Sequence, residues 1–455
     1  MLTLQDITGG LGPLIAAASG PPLAGQPFAR VAIDSRQVQP GDLFLALPGE
    51  HRDGHDFIAD AIARGATGIV GQQQPAHLPD EVFFFRVGNT LAALHRLAAY
   101  WRARHKVKVI GITGSVGKTT CKELTASVLS HTYRVLKSEA NLNTEIGLPL
   151  ALLELGPQHE RAVLEMGMYG RGEIALLCQL ARPHIGVVTN VGPVHLERLG
   201  SLEDIAAAKA ELVESLPPDG WAVLNGDDPQ VAAMSARTSA RVVLFGTSAQ
   251  CAVRGSVLAS GGLEGITFRL ICGDESADIA TPLPGRHNLY NALAAAAVGL
   301  ADGLSLEEVA EALTKAEVPL RLRTLSGPQG STILDDAYNA SPASMLAALD
   351  LLAELPGRRL ALLGDMLELG AFEEEGHRLV GERAAQTTHV LYTLGERGRI
   401  IGEAAQQAGH QQVQFLPSRE EAATALRQTL APGDHLLVKA SRAMALETVI
   451  EELTG

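Results

Sequence analysis

The stretch that most constrains this chain runs from Val107 to Val128, where K-V-I-G-I leads into T-G-S-V-G-K-T-T and then a helical pattern. Val107, Val109, Ile110 and Ile112 predict a buried strand, and Thr113, Gly114, Ser115, Val116 and Gly117 a tight turn. Lys118, Thr119 and Thr120 open a helix that continues through Leu124 and Val128. This is the geometry of a phosphate cradle. Backbone N–H groups of the turn and of the helix N-terminus face an anion, the lysine ammonium reaches the outer phosphates, and the first hydroxyl after it can hold Mg2+. The general pattern wants a glycine five residues before Gly117; this chain has Ile112 there, and its glycine sits at Gly114. A glycine-containing strand-to-helix turn can arise by chance, but here strand, turn, G-K-T and helix fall in order, and binding of ATP or GTP is the expectation.

Length and charge narrow the partners. A chain of 455 residues suggests two to four domains. A net charge of −14, with no long basic run, argues against a nucleic-acid partner. Cys121, Cys178, Cys251 and Cys272 form no C-x-x-C pair, so neither a zinc knuckle nor a redox motif is indicated, and their scatter suits a reducing compartment. The N-terminus M-L-T-L-Q-D-I-T lacks a positive segment and an apolar core, and the apolar run Ala292–Leu300 is too short to span a bilayer. A cytoplasmic protein without membrane insertion is expected, with a monomer as the default.

The pattern reads as α/β throughout, in three domains: a small α/β unit over 1–88, a central P-loop domain with a mostly parallel sheet over 89–318, and a Rossmann-like domain over 319–455. In the first, Arg30–Ile33 and Asp42–Leu47 are expected strands, Pro48–Asp56 a polar loop, Phe57–Arg64 a helix and Gly68–Gly71 a strand. Ser35 and Arg36 fall just past a strand end, where they either meet an anionic ligand or form a solvated turn. In the second, strands are expected at Arg134–Leu136, Arg161–Met166, Ile185–Val191 and Trp221–Asn225, with a loop at Asn141–Glu145 and an antiparallel patch over 239–281. After Pro319, runs at Thr332–Leu334, Leu360–Leu363, Val390–Leu394 and His435–Val438 each end in a polar or glycine loop and predict a second parallel sheet. No G-x-G-x-x-G occurs there, so this domain is expected to bring side chains to a ligand held elsewhere.

Ligands of such sheets sit past the C-terminal strand ends. Glu165 and His195 both fall there. Glu165 is either a Mg2+ ligand or an exposed strand-end carboxylate; a P-loop enzyme needs an acidic partner for its metal, which favours the former. His195 is either a ligand or a loop histidine. Lys209 lies in a helix at Leu202–Leu216 and by composition would face solvent. Asn288 and Asn291 share a helix face at i, i+3, where their amides suit a purine edge, with Asn288 also able to cap the helix.

These stretches together resemble the Mur ligase family of ATP-dependent ligases, over nearly the whole chain. The resemblance rests on Thr113–Thr120, E-M-G at 165–167, N-V-G-P-V-H at 190–195, A-K-A-E at 208–211 and G-R-H-N-L-Y-N-A at 285–292. D-S-R at 34–36, E-M-G-M-Y-G-R-G-E-I at 165–174, D-D-A-Y-N-A-S-P at 335–342, L-G-D-M-L-E-L-G at 363–370 and V-K-A-S-R at 438–442 are similar to the branch that joins D-alanyl-D-alanine to UDP-N-acetylmuramoyl-tripeptide. The resemblance implies ATP, two Mg2+ ions and an acyl-phosphate intermediate. It implies a carbamylated Lys209, with Lys118, Glu165, His195 and Lys209 as catalytic groups and Thr119, Glu165, His195 and Lys209 serving the metals. His287, Asn288 and Asn291 would serve the adenine, and Arg321, Asp335 and Asp336 would reach the nucleotide. Ser35 and Arg36 would face the UDP sugar, and Asn143, Asn339, Lys439 and Arg442 would contact substrate. A sister ligase adding the diamino acid, a folylpolyglutamate-type ligase and a non-catalytic nucleotide switch are the alternatives. The D-N-P-R motif expected of the diamino-acid-adding ligase is absent, and D-S-R argues against the folate enzyme.

Overall fold

The computed structural model describes residues 1–20, 27–49, 52–139, 142–319 and 321–455. Glu50 and His51 of the expected polar loop, Asn141 of the Asn141–Glu145 loop and Leu320 at the expected composition shift lie outside the described residues. The chain forms two compact units, one of Met1–Gly111, Tyr133–Met168 and Gly172–Ile185, the other of Ile112–Thr132, Tyr169–Arg171 and Gly186–Gly455.

In the first unit, strands β1 (Ile15–Ser19), β2 (Val31–Ala32), β3 (Leu43–Leu45), β4 (Gly68–Gly71) and β5 (Phe83–Val87) form a sheet in the order β1-β5-β4-β3-β2. All neighbours are parallel except β1 on β5. Phe44, Ile69 and Phe84 are register partners across three strands and, with Ile58 and Ala61 of the helix Ile58–Ala63, form one buried cluster. A one-residue slip would turn that row to the opposite face, so the apolar alternation fixes the register. Asp42 is fully buried and accepts from Arg30 Nε at 2.9 Å and from Gln39 N at 2.8 Å. The same unit carries β6 (Lys108–Thr113) up to Gly111, together with β7 (Val135–Lys137) and β8 (Arg161–Glu165); β8 lies beside β6 and pairs in parallel with β7. Val109, Ile110, Ala162, Val163 and Leu164 are fully buried, as parallel strands covered on both faces must be.

In the second unit, β9 (Ile185–Val188), β10 (Trp221–Asn225), β11 (Arg241–Gly246), β12 (Val253–Ser260), β13 (Ile266–Cys272) and β14 (Glu275–Thr281) follow one another in sheet order. The antiparallel patch expected over 239–281 needs correction. Only β12, β13 and β14 form a meander; β11 is parallel to both β10 and β12. The helix Pro229–Ala232 and the turn after it carry the chain back across between β10 and β11, which keeps the strand direction.

The remaining strands, β15 (Arg323–Ser326), β16 (Thr332–Asp335), β17 (Arg359–Leu363), β18 (Val390–Leu394), β19 (Val413–Leu416) and β20 (His435–Lys439), form a sheet in the order β15-β16-β20-β17-β18-β19. Only β15 is antiparallel. Alternate residues face two separate cores. Ile333, Leu360, Leu362, Leu436 and Val438 enter one, and Leu334, Ala361, Leu363 and Leu437 the other. The four expected strands form its centre. The sequence reading passed over the two edges, β15 and β19, because each is short and has mostly exposed or half-buried positions.

Candidate active site

The phosphate cradle is built by stapling one turn onto another. Thr189 N donates to Thr113 O at 3.0 Å, and Ser115 N to Asn190 O at 2.9 Å. The Asn190 amide imitates a strand partner: Val116 N donates to its Oδ1 at 2.8 Å, and its Nδ2 donates to Val116 O at 2.9 Å. Thr189 Oγ1 also donates to Val116 O at 2.8 Å, and Ser115 Oγ accepts from Gly192 N at 2.8 Å. This closeness explains the displaced glycine. At Gly114, where φ is 149°, a Cβ would stand 1.9 Å from Thr189 Oγ1. At Gly117, where φ is 85°, it would stand 2.7 Å from Asn291 Oδ1. Gly117 then caps the helix Lys118–Ser130 in a left-handed conformation that glycine adopts without penalty. Lys118 Nζ donates to Gly114 O at 2.8 Å and Ser115 O at 3.2 Å, so the ammonium lies over the turn it serves.

A cavity of about 660 Å³ opens on this cradle, a size that suits a nucleotide-sized ligand. Ser115, Val116, Gly117, Lys118, Thr119 and Thr120 line one side. His195, His287, Asn288 and Asn291 also line it, as do Arg321, Asp336, Asn339, Lys439 and Arg442. These candidates are brought together by the fold. Thr113, Gly114, Lys209 and Asp335 do not line the cavity. Thr113 and Gly114 lie beneath the cradle, and Asp335 is buried and salt-bridged to Arg323 Nη2 at 2.6 Å.

Several side chains reach the cavity already engaged. Arg321 Nη2 donates to Thr119 Oγ1 at 2.7 Å, and its guanidinium lies 4.5 Å from the Tyr338 ring centroid. The Arg442 guanidinium lies 5.7 Å from the same ring and pairs with Glu447. The buried Lys439 ammonium pairs with the Asp336 carboxylate and donates to Asn339 O at 3.0 Å. Asn339 Oδ1 accepts from Ala340 N at 2.9 Å. Asn288 is not the helix cap that the sequence allowed. The helix Asn288–Ala301 begins at that residue, and no side chain caps it. Asn288 Nδ2 instead donates to Pro284 O at 2.8 Å, and its Oδ1 accepts from Asn291 Nδ2 at 2.8 Å. The two amides form a buried relay that ends beside Gly117.

His195 stands in a left-handed conformation, φ 58°, at the start of the short helix Leu196–Leu199. Its Nδ1 is hydrogen-bonded to Glu368 Oε2, and the edge of Tyr169 meets its ring with centroids 5.1 Å apart. Burial pushes its pKa below the ordinary histidine value, although the Glu368 carboxylate pulls the other way. Lys209 reverses its compositional reading. It lies on the helix Leu202–Glu214, is 2% exposed, and its ammonium has no hydrogen bond or ion pair among the described residues. Burial first, and the Lys118 charge second, hold its pKa well below the usual lysine value, which favours the neutral, nucleophilic amine.

Glu165 and Asn143 belong to the first unit. The Glu165 carboxylate is buried at the end of β8; its Oε1 accepts from Asn143 Nδ2 at 2.9 Å, and its N donates to Ser138 Oγ at 3.2 Å. Asn143 therefore orients a carboxylate, a role the sequence did not reveal. In the same unit, Ser35 is buried, while Arg36 is exposed and bound within its own turn to Asp34 at 2.7 Å.

Sequence reasoning assigned no role to Thr189, Asn190, Tyr338 or Glu368. The signal was present in N-V-G-P-V-H, D-D-A-Y-N-A-S-P and L-G-D-M-L-E-L-G, where each of these residues except Thr189 stands inside a motif already singled out.

A P-loop turn, with polar ends of a second parallel sheet brought to the same cavity, defines an α/β nucleotide-handling enzyme. Residues 27–102 match the Mur ligase catalytic domain, 112–299 the Mur ligase middle domain and 320–442 the Mur ligase glutamate ligase domain. The UDP-N-acetylmuramoyl-tripeptide–D-alanyl-D-alanine ligase of Synechocystis is 41% identical, over 93% of this chain and 91% of its own. The Bacillus subtilis protein of the same name is 37% identical, over 93% and 92%. Among solved structures, MurF from Acinetobacter baumannii superposes with a TM-score of 0.88 at 30% identity, covering 100% of this chain and 98% of its own. MurF ligase from Thermotoga maritima in complex with ADP gives 0.81 at 30% identity, covering 94% and 97%. The chain belongs to the Mur ligase family, and its fold is the α/β fold of those ligases.

Proposed function

We infer that this chain is an ATP-dependent ligase that joins D-alanyl-D-alanine to UDP-N-acetylmuramoyl-tripeptide, completing the pentapeptide precursor of peptidoglycan. The observation that carries the reading is the convergence of Lys118, Thr119, His195, Arg321, Asp336 and Lys439 on one cavity over a phosphate cradle, in a chain whose relatives, matched over more than nine-tenths of their length, are named for that reaction.

The chemistry follows from the obstacle. A carboxylate does not accept an amine, because its charge makes the carbon a poor electrophile and an oxide ion cannot leave, so the terminal carboxylate oxygen of the tripeptide first attacks the γ-phosphorus of ATP. ADP departs and an acyl phosphate forms. The dipeptide amine adds to the acyl carbon, the tetrahedral adduct loses a proton, and phosphate leaves with the C–O bond electrons. Two anions must meet in the first step. The Lys118 ammonium and the backbone N–H groups of the cradle offset that repulsion on the cradle side, and the Arg321 guanidinium on the facing side. Asp336 and Lys439 hold each other, which keeps the carboxylate fixed at the rim.

The donors present fit Mg2+. It is a hard cation that takes one or two protein ligands besides phosphate oxygens and water. Thr119 and His195 both line the cavity, and among the described residues no three His, Cys, Asp or Glu side chains gather as a closed metal centre. When bound, Mg2+ supplies charge neutralisation at the phosphates. Glu165, oriented by Asn143, is proposed as its carboxylate ligand on the strength of the E-M-G motif. Lys209 is proposed to carry a carbamate: a buried amine whose pKa is lowered by burial gives up its proton more readily, the neutral form can add CO2, and the product would serve a second Mg2+. Ser35 and Arg36 are proposed to face the UDP sugar, and Asn339 and Arg442 the incoming dipeptide. The division into domains over 1–88, 89–318 and 319–455, a monomeric state and a cytoplasmic location belong to the same proposal. The last is supported by the absence, among the described residues, of any helix long and apolar enough to cross a membrane.

The test is phosphate release from ATP with the UDP-linked tripeptide, with and without D-alanyl-D-alanine. Release that needs both, with a pentapeptide by mass, establishes the reaction. Release that prefers a free amino acid moves the chain to a sister ligase, and nucleotide binding with no substrate-dependent release leaves a switch. For Lys209, a carbamate carbon signal from 13C-bicarbonate that is lost in Lys209→Met tests the modification.

A further inference from the structure

The motif L-G-D-M-L-E-L-G at 363–370 has no role in the mechanism above, yet it ends on the imidazole of His195. Its loop is braced at every step. The Asp365 carboxylate accepts from Arg397 N at 3.0 Å and Gly398 N at 2.7 Å. Met366 N donates to His377 Nε2 at 3.0 Å, and Leu367 N to Ser441 Oγ at 2.9 Å. Glu368 follows in a left-handed conformation, φ 64°. A non-glycine residue is held there only where its surroundings impose it.

The loop also docks by its backbone. Glu197 N donates to Glu368 O at 3.4 Å. A Cβ on Gly370, itself at φ 52°, would lie 3.0 Å from Glu197 N, so the two turns meet without room for a side chain. At this contact His195 and Glu368, both left-handed, share one hydrogen bond between Nδ1 and Oε2. With Nδ1–H donating to the carboxylate, the imidazole lone pair is left on Nε2.

We propose that Glu368 is the positioning residue of His195: its carboxylate fixes the tautomer and angle of the imidazole, so the histidine is ready to serve the nucleotide's metal only when the 364–370 loop is docked. This rests on the reading of His195 as a metal-serving group. A carboxylate behind a ligand histidine commonly contributes 10–100-fold to metal affinity or activity.

The experiment measures Mn2+ binding by electron paramagnetic resonance in the presence of AMPPNP, beside kcat and KM, for wild type, Glu368→Ala and Glu368→Gln. Glu368→Ala is expected to weaken Mn2+ by roughly 10-fold or more and to lower kcat while the KM for each peptide substrate stays put. Glu368→Gln keeps an acceptor at the same reach and restores most of both. Glu368 is partly exposed, so its removal should leave the fold intact. If the Ala variant does not fold, Glu368→Asp, one methylene shorter, replaces it and is expected to lose Mn2+ affinity while Glu368→Gln keeps it. Wild-type Mn2+ affinity in the Ala or Asp variant, or a Gln variant as weak as either, overturns the proposal. A wild-type enzyme that turns over normally while His195→Ala binds Mn2+ unchanged would instead sink the reading of His195 on which it rests.

Discussion

The amide relay beneath the cavity makes a prediction that separates two readings of the same residue. Asn288 was expected at the adenine edge, but the structure gives both ends of its amide to protein: Nδ2 to Pro284 O and Oδ1 to Asn291 Nδ2, each at 2.8 Å. Asn288, Asn291 and Pro284 are all buried. Asn288→Ala therefore leaves a carbonyl and an amide without partners. At about 1–3 kcal/mol for each buried orphan, and with some relief from rotation of Asn291, the cost is about 2–4 kcal/mol. Asn291→Ala strands only the Asn288 oxygen and should cost about 1–2 kcal/mol. The double variant should cost less than the sum, because the shared bond is counted twice, with a coupling of about 1 kcal/mol. In a chain of several units a global unfolding free energy is poorly defined, so local opening is the quantity to read. Hydrogen exchange over residues 284–301 should then quicken about 30- to 1,000-fold in Asn288→Ala, since 1.4 kcal/mol is tenfold. The ATP KM measured beside it reads the other role. Unchanged exchange with a raised KM would refute the relay argument and restore the adenine reading, and strictly additive single variants would refute the shared bond.

Three further outcomes follow from the same geometry. Gly114→Ala, which places a methyl 1.9 Å from Thr189 Oγ1, should abolish substrate-dependent phosphate release while circular dichroism stays near wild type. Arg321→Lys should lower kcat nearly as far as Arg321→Ala, because an ammonium can donate to Thr119 but cannot reproduce the planar stacking on Tyr338; steady-state kinetics decide it. His377 is fully buried, bonded through Nδ1 to Glu373 O at 2.6 Å while Nε2 accepts from Met366 N, and burial pushes its pKa below the ordinary histidine value. The unfolded chain then takes up the proton first as pH falls, so the stability His377 contributes is intact above about 6.5 and is lost below it; the thermal midpoint should fall between about pH 7.5 and 5.5, and less steeply in His377→Gln.

What was legible in the sequence was whatever a short local pattern determines. The cradle is contiguous, its residue types are dictated by phosphate chemistry, and Glu165 and His195 announce themselves as polar residues closing apolar runs. What was not legible depends on residues far apart in sequence. That Asn190 would act as a strand partner for Val116, or that Lys209 would be sealed in rather than solvated, follows from packing between elements more than 70 residues apart. Asn288 and Asn291 share a helix face, as their spacing implies, but their amides bond to each other and to Pro284, because a buried amide must satisfy itself with the nearest partner. The edges β15 and β19 were missed for the opposite reason: they bury too little to leave a period in the sequence.

The reversed direction of β15 sets the reach of an arginine. Because β15 alone runs against its neighbours, Arg323 stands opposite Asp335, at the end of β16 that faces the cavity, and Arg321 enters two residues earlier. The Arg323–Asp335 ion pair pins that register. A slip of two residues would carry Arg321 about 7 Å along the strand, beyond hydrogen-bond range of Thr119, and a slip of one would also turn it to the opposite face. The stretch from Arg321 to Arg323 thus works as a ruler, intolerant of insertion or deletion, whereas extra residues in the turn between Ser326 and Thr332 should leave the place where the guanidinium arrives unchanged.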